Sequence, residues 1–267
     1  MCGLPPGLDN TMSNNTMCQD EKEVAGESLS WRTHPEAAEV YSSLISDLTR
    51  DSHYLRSKGL KPNLVNMIGD CANARVLDIG SGDGWLLDEV RPREGYACDI
   101  VEQPKVRPEW NFEIHDVRYL PYPDESFDIV VASLVLIWFE ETSLAISQMC
   151  RVLKPGGKIV IALVHPYFYR MGEPDSQGNF VISKDLSKPF KVRDLKIGGV
   201  AGPLTYFYRP LPQYLNICAS AGLRIRQVLD WFVDMEDYVR NTKSGMGSKI
   251  LRTGKVPMYC FIECSKE

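Results

Sequence analysis

Residues 76–87 read VLDIGSGDGWLL: an apolar run ends on Asp78, glycines follow at 80, 82 and 84, and apolar residues then return at helical spacing. Glycine tolerates positive φ and lets a neighbour approach the main chain closely, at about 0.5–1 kcal/mol per residue in ordinary structure. Such costs, repeated at every second position, point to a turn shaped for a ligand; the plainer alternative is a tight connection that holds none. The flanks constrain the fold further. Arg75 to Ile79 has the continuous apolar character of a buried parallel strand and Trp85 to Val90 that of a first helical turn, which makes a strand, glycine turn and helix unit. Units of this kind collect ligands at the carboxyl ends of their strands.

The rest of the chain repeats the alternation. Strands are predicted at Tyr96 to Val101, Phe112 to His115, Ile129 to Ser133, Lys158 to Val164, Leu223 to Asp230 and Val256 to Cys264, with helices near Thr142 to Leu153 and Leu211 to Ala221. Alternation implies an α/β fold, doubly wound, with a mainly parallel sheet covered by helices on both faces. At 267 residues the chain is long enough to bury one full core. Residues 1–28 are polar and without hydrophobic period, so they are expected to form a mobile tail, and 29–267 a single domain. Within that domain, 29–70 reads as a helical cap, with Val40, Tyr41, Leu44, Ile45 and Leu48 at helical spacing. Residues 165–209, rich in glycine, proline and aromatics, are too long for an ordinary connection and read as an insertion with a function.

Several partner classes are disfavoured. A formal net charge of −5 gives no global attraction to a polyanion, and Arg91, Arg93, Lys105 and Arg107 read as a solvated face, so no nucleic-acid partner is expected. The eight cysteines contain no Cys-x-x-Cys pair and have no histidine cluster beside them, which reads as free thiols and no metal. The longest apolar run, IVVASLVLIWF at 129–139, is shorter than the roughly 20 residues of a membrane helix. The N-terminal stretch lacks a basic segment followed by an apolar one, so the expectation is a cytoplasmic protein without a membrane partner.

Dinucleotide enzymes favour Gly-x-Gly-x-x-Gly at this turn, whereas here Trp85 and Leu86 stand where the last glycine would fall. Asp99, at the end of the second strand, is suited to hold a ribose diol, which does not discriminate among nucleoside cofactors. Taken in order, VLDIGSGDG, YACDIV, HDVRYLPYPDESFDIVVAS and RVLKPGGKIVIA resemble the class I S-adenosylmethionine-dependent methyltransferases, especially those acting on small molecules. The resemblance covers about Arg75 to Val164 and implies a seven-stranded Rossmann-like sheet. It implies that Asp78, Gly80, Ser81 and Gly82 face the methionine part of S-adenosyl-L-methionine, that Asp99 takes the ribose hydroxyls, and that Ile100 packs on adenine. Asp116 and the Val117 amide would read the adenine edge, with a turn-forming aspartate as the alternative, and Ser133 and Leu134 would lie near the transferable methyl. Asp128 reads as support for its strand, and KPGG at 154–157 as a tight turn that ends a helix. The short, proline-containing stretch after Asp99 departs from the family, whose helix there must be short or absent.

The acceptor is expected to be a small molecule methylated on O, N or C, with S-adenosyl-L-homocysteine as the other product. His165, after the fifth strand, is the candidate base or substrate hydrogen-bonder, or else it orders the His-Pro turn. Tyr167, Phe168, Tyr206 and Tyr208 form an aromatic wall or plain core, and Arg209 pairs with a substrate carboxylate or with a nearby acidic side chain. Trp31, Tyr41 and Trp138 are gate candidates. The Asn/Asp-Pro-Pro-Tyr pattern of base methylation is missing from ASLVLIWF. The competing classes are a nicotinamide-dependent oxidoreductase and a non-catalytic domain that binds the cofactor or a partner.

Overall fold

The structure is a computed structural model that describes residues 53–102, 106–167, 172–174, 180–182, 184–192, 196–197, 200–201, 205–242 and 256–267. The predicted tail, Trp31, Tyr41 and Phe168 lie outside the described residues.

A continuous apolar strand buries both faces, because successive side chains point to opposite sides. Strands β1 (Arg75–Ile79), β4 (Phe127–Ser133) and β5 (Leu153–Val164) do this. Leu77, Ile79, Val130, Ala132, Ile159 and Ile161 pack on one face with Ala145, Ile146 and Met149 of the helix Thr142–Val152. Their alternates Val76, Ile129, Val131, Val160 and Ala162 pack on the other with Leu64, Met67 and Ile68 of the helix Lys61–Ile68 and Leu86 and Leu87 of the helix Trp85–Val90. The two hydrophobic layers follow from that alternation.

With β2 (Glu94–Asp99), β3 (Asn111–Ile114), β12 (Leu223–Trp231) and β13 (Tyr259–Lys266), the strands form one seven-stranded sheet in the order β12-β13-β5-β4-β1-β2-β3. The pairs β1–β2, β1–β4, β2–β3 and β4–β5 are parallel, whereas β13 runs antiparallel to both β5 and β12. Pairing of Ile79 with Cys98 and with Ala132 brings the carboxyl ends of β2, β1 and β4 to one edge. Strand order reverses at β1, so a crevice opens there. The helix Leu211–Ser220 precedes β12, and a helix at Met235–Thr242, absent from the sequence expectation, precedes β13. In the 165–209 stretch, short strands pair antiparallel: β6 (Gly172–Pro174) with β7 (Phe180–Ile182), β9 (Lys196–Ile197) with β10 (Val200–Ala201), and β8 (Phe190–Val192) with β11 (Tyr206–Tyr208).

Two local expectations are corrected or sharpened. KPGG lies within β5 and makes a bulge: Phe127 pairs with Leu153 but Ile129 with Lys158, and Gly156 takes φ +76°. The positive φ that suits a turn also suits a bulge. Between Asp99 and Asn111 no helix occurs among the described residues. Asp128 supports its strand as expected, accepting from the Arg75 N–H at 2.8 Å and from Lys154 Nζ at 2.7 Å. Burial raises its pKa, but those two donors outweigh burial and hold the carboxyl below its ordinary value.

Candidate functional site

The glycine turn folds as a run of left-handed residues, with Gly80, Gly82 and Gly84 at φ +64°, +53° and +74°. That requirement alone excludes most side chains. At Gly80 a Cβ would lie 2.5 Å from Val135 Cγ2, and at Gly84 3.0 Å from Val106 Cγ2. Valines of the chain itself therefore approach two of the three glycines. At Gly82 the main-chain N–H donates to Asp99 Oδ2 at 3.0 Å, which ties the turn to the end of β2. Asp83, between the last two glycines, receives Arg56 Nη2 on both oxygens, at 2.7 and 3.0 Å.

Acidic groups concentrate at this edge. Asp78 is 2% exposed, and no hydrogen-bond donor reaches its carboxylate among the described residues. Burial first, and then the charges of Asp99 and Asp83, raise its pKa well above the ordinary carboxylate value. Asp99 is oriented by Gly82 and by the Val101 N–H at 3.4 Å. Ser81 is buried, and its Oγ finds no hydrogen-bond partner among the described residues. A buried carboxylate and a buried hydroxyl without donors or acceptors among the described residues are suited to a cationic, hydrogen-bonding ligand.

A cleft of about 620 Å³ opens at the same edge, lined by Gly80, Asp99, Ile100, Asp116, Val117, Ser133, Leu134 and Trp138, all singled out from the sequence. Ile79, Val101, His115, Val135 and Phe139 also line it and were not expected. Each is a chain neighbour of an expected residue, so the strand ends themselves were the available signal. Leu134 takes φ +58° as the chain leaves β4, and its N–H donates to the Ala162 carbonyl at 2.9 Å. Asp116 reaches the cleft wall but also does a turn-former's work: its Oδ1 accepts from the Arg118 N–H at 3.0 Å, and its carboxylate pairs with the Arg118 guanidinium at 2.7–3.2 Å. His115 lies beside it with Nε2 3.0 Å from Glu113 Oε2.

The acceptor-side candidates fall elsewhere. Asp78, Ser81 and Gly82 do not line the cleft, and neither do His165, Tyr206, Tyr208 and Arg209. Tyr206 and Tyr208 are core residues, Tyr208 stacking on Phe190 at 4.3 Å between centroids. Arg209 is buried and donates to main-chain carbonyls rather than to a carboxylate. His165 is 1% exposed, and its Nδ1 accepts the Tyr167 N–H at 3.0 Å, the contact expected of a residue that orders the His-Pro turn. A base at Nδ1 would have to give up that bond.

Asp230 Oδ1 stands 3.3 Å from His165 Nε2, and Cys260 joins them, the three ligand-type atoms lying within 4.8 Å of one another. No sequence pattern signals this cluster, because antiparallel pairing of Asp230 with Cys260, beside β5, assembles it from distant positions. With Nδ1 an acceptor, the neutral ring carries its proton on Nε2, where it faces Asp230 instead of offering a lone pair to a metal. Burial lowers the His165 pKa, with Asp230 opposing, and burial followed by Asp230 pushes the Cys260 thiol up to about 12. No helix among the described residues is long and apolar enough to cross a membrane.

Comparison with known proteins adds to this geometry. Residues 77–161 match the family model described as a methyltransferase domain. The malonyl-[acyl-carrier protein] O-methyltransferase of Halorhodospira halophila is 34% identical over 104 residues, which cover 34% of this chain and 35% of that protein. The demethylmenaquinone methyltransferase of Renibacterium salmoninarum is 34% identical over 116 residues, covering 39% and 48%. The match thus spans less than half of either relative's length. Among solved structures, an S-adenosylmethionine-dependent methyltransferase from Mesorhizobium loti aligns with a TM-score of 0.58 at 19% identity, over 77% of this chain and 96% of that one. The 1,6-didemethyltoxoflavin-N1-methyltransferase of Burkholderia thailandensis, solved with 1,6-didemethyltoxoflavin and S-adenosylhomocysteine bound, aligns with a TM-score of 0.51 at 16% identity, over 87% and 89%. The shared feature is the mainly parallel seven-stranded sheet with flanking helices.

Proposed function

We propose that this chain, whose residues 77–161 are a methyltransferase domain, transfers a methyl group from S-adenosyl-L-methionine to a small-molecule acceptor. The observation that carries the proposal is an oriented Asp99 lining a cleft on the carboxyl edge of the sheet, with Asp78, buried in the adjoining strand β1 and met by no donor among the described residues, close enough to feel its charge.

The residues present fit the cofactor. Its amine and sulfonium are cationic, and Asp78 supplies buried negative charge with no cation paired to it among the described residues. Ser81 Oγ is a buried hydroxyl in want of a partner, and Asp99 is a carboxylate aimed by two N–H groups at the position of a ribose diol. Ile100, Val101 and Val117 offer an apolar slot for adenine, with Asp116 and His115 at its rim. The bound cofactor supplies an activated methyl group, so the chain's contribution is alignment and exclusion of water. Ser133, Leu134 and Val135, turned into the cleft by the positive φ at Leu134, are the residues that hold the acceptor side. We take the paired short strands of the 165–209 insertion as the acceptor's roof, and assign no proton transfer to His165.

Incubating the protein with a small-molecule extract and cofactor carrying a trideuterated methyl tests the proposal. Enzyme-dependent appearance of trideuteromethylated products by mass spectrometry, lost in Gly82→Val, is the expected result. Labelling that persists in a folded Gly82→Val protein would count against this site.

A further inference from the structure

Arg209 is buried at 5% exposure and carries a full charge, yet its guanidinium donates to no carboxylate among the described residues. Its guanidinium is spent on main-chain oxygens: Nη2 donates to the Phe139 carbonyl at 2.8 Å and to that of Glu140, and Nη1 to that of Phe207 at 3.4 Å. One nitrogen of the rigid planar fork thus serves the two adjacent carbonyls while the other reaches Phe207, a two-nitrogen geometry that the single ammonium of a lysine lacks. Tyr214, from the helix Leu211–Ser220, packs beside it; burial raises the phenol's pKa and the guanidinium partly offsets that.

The segment held this way is the cleft wall. Leu134, Val135, Trp138 and Phe139 line the cleft on an irregular stretch between β4 and the helix Thr142–Val152. Irregular backbone lacks the repeating hydrogen bonds of helix or sheet, so its carbonyls need partners from elsewhere. The stretch 205–209 supplies them, since the Phe207 N–H also donates to the Ile137 carbonyl at 2.9 Å. Lys191 on β8 adds an ion pair to Glu140 at 2.7 Å. The end of the insertion is therefore fastened to this stretch at Ile137, Phe139 and Glu140.

From this juxtaposition we infer that Arg209 is a positioning residue, which sets the spacing of the Val135–Phe139 wall and couples the insertion to the cofactor cleft. The inference rests on the methyltransferase reading of that cleft. Arg209 touches neither cofactor nor acceptor; it acts through Trp138 and Phe139.

The test is calorimetric titration of S-adenosylhomocysteine into the full chain, alongside the melting temperature, for wild type, Arg209→Lys, Tyr214→Phe and Arg151→Lys. Arg151 is the control, since it also donates to main-chain carbonyls, of Leu120 and Tyr122 at 2.8 Å, but neither residue lines the cleft. Arg209→Lys is expected to weaken binding on the order of tenfold, while Arg151→Lys loses melting temperature and keeps wild-type affinity. The change in Trp138 emission on binding, taken as wild type minus Trp138→Phe, should shrink in Arg209→Lys. Wild-type affinity in Arg209→Lys overturns the inference, as does an equal loss in Arg151→Lys, which would mean general loosening. If Arg209→Lys does not fold, Tyr214→Phe decides: weakened binding supports the positioning role, and wild-type affinity overturns it. Absence of binding by the wild type sinks the cofactor reading itself, and is told apart because no variant is then needed to see it.

Discussion

Gly80→Ala is the sharpest probe of the glycine turn, because two separable costs apply at one position. Gly80 stands at φ +64°, where an L-residue is disfavoured by about 1–2 kcal/mol. The new Cβ would lie 2.5 Å from Val135 Cγ2 and 2.7 Å from Val135 Cβ, an overlap that calls for displacement and costs about 1–3 kcal/mol. The two together give roughly 2–5 kcal/mol, or a fall in melting temperature of roughly 4–20 °C for a domain of this size. Val135→Ala removes Cγ2, the nearer contact, but keeps Cβ at 2.7 Å, so it should relieve part of the overlap and leave the φ penalty. In urea denaturation of the single and double variants, the double should therefore recover a coupling of about 0.5–2 kcal/mol. A Gly80→Ala protein within about 0.5 kcal/mol of wild type, or additivity with Val135→Ala, would refute this account of the turn.

The acidic edge gives two further predictions, and His165 a third. Asp99→Ala should weaken S-adenosylhomocysteine by about 1.5–3 kcal/mol in calorimetry, the range for a hydrogen bond to a charged group, with the fold intact by circular dichroism. Asp78 has a folded pKa above its unfolded one, so the ligand-free protein loses stability as pH rises from the ordinary carboxylate value through the raised one. A cationic ligand reverses the shift: binding should release a proton, measurable from heats in buffers of different ionisation enthalpy, and Asp78→Asn should raise the ligand-free melting temperature while weakening binding. His165 has a folded pKa below its unfolded value, so the unfolded chain binds more protons, and stability should fall as pH drops from about 6.5 towards the lowered value. His165→Gln should flatten that profile in pH-dependent melting, and with a known acceptor it should leave the pH dependence of kcat unchanged; loss of an activity limb near that pH would restore His165 as a base.

What the sequence made legible was local. The alternation of Val76 and Leu77, or of Ile129 and Val130, announces strands buried on both faces, and the ends of those strands, Gly80, Asp99, Asp116 and Ser133, meet at one edge because parallel strands share a direction. His115, Val135 and Phe139 escaped notice because nothing in their type separates a wall residue from its neighbours. Arg209 was singled out, but its partners were not: main-chain carbonyls are present at every position, so those of Phe139 and Glu140 leave no trace in residue identity. The convergence of His165, Asp230 and Cys260 depends on β13 entering antiparallel between β5 and β12, a long-range choice that no short pattern encodes. KPGG was ambiguous in itself, since glycine serves a bulge as well as a turn.

The central claim is that the cleft between β1, β2 and β4 binds the S-adenosyl group through Asp78 and Asp99. Titrating S-adenosylhomocysteine and NADH separately into the wild-type chain, and S-adenosylhomocysteine into Asp99→Ala, tests it most directly. The account predicts one-site binding of S-adenosylhomocysteine with uptake of heat or release that depends on the buffer, weakened in Asp99→Ala, and no saturable heat from NADH. Saturable binding of NADH with none of S-adenosylhomocysteine, or wild-type affinity in Asp99→Ala, would contradict it.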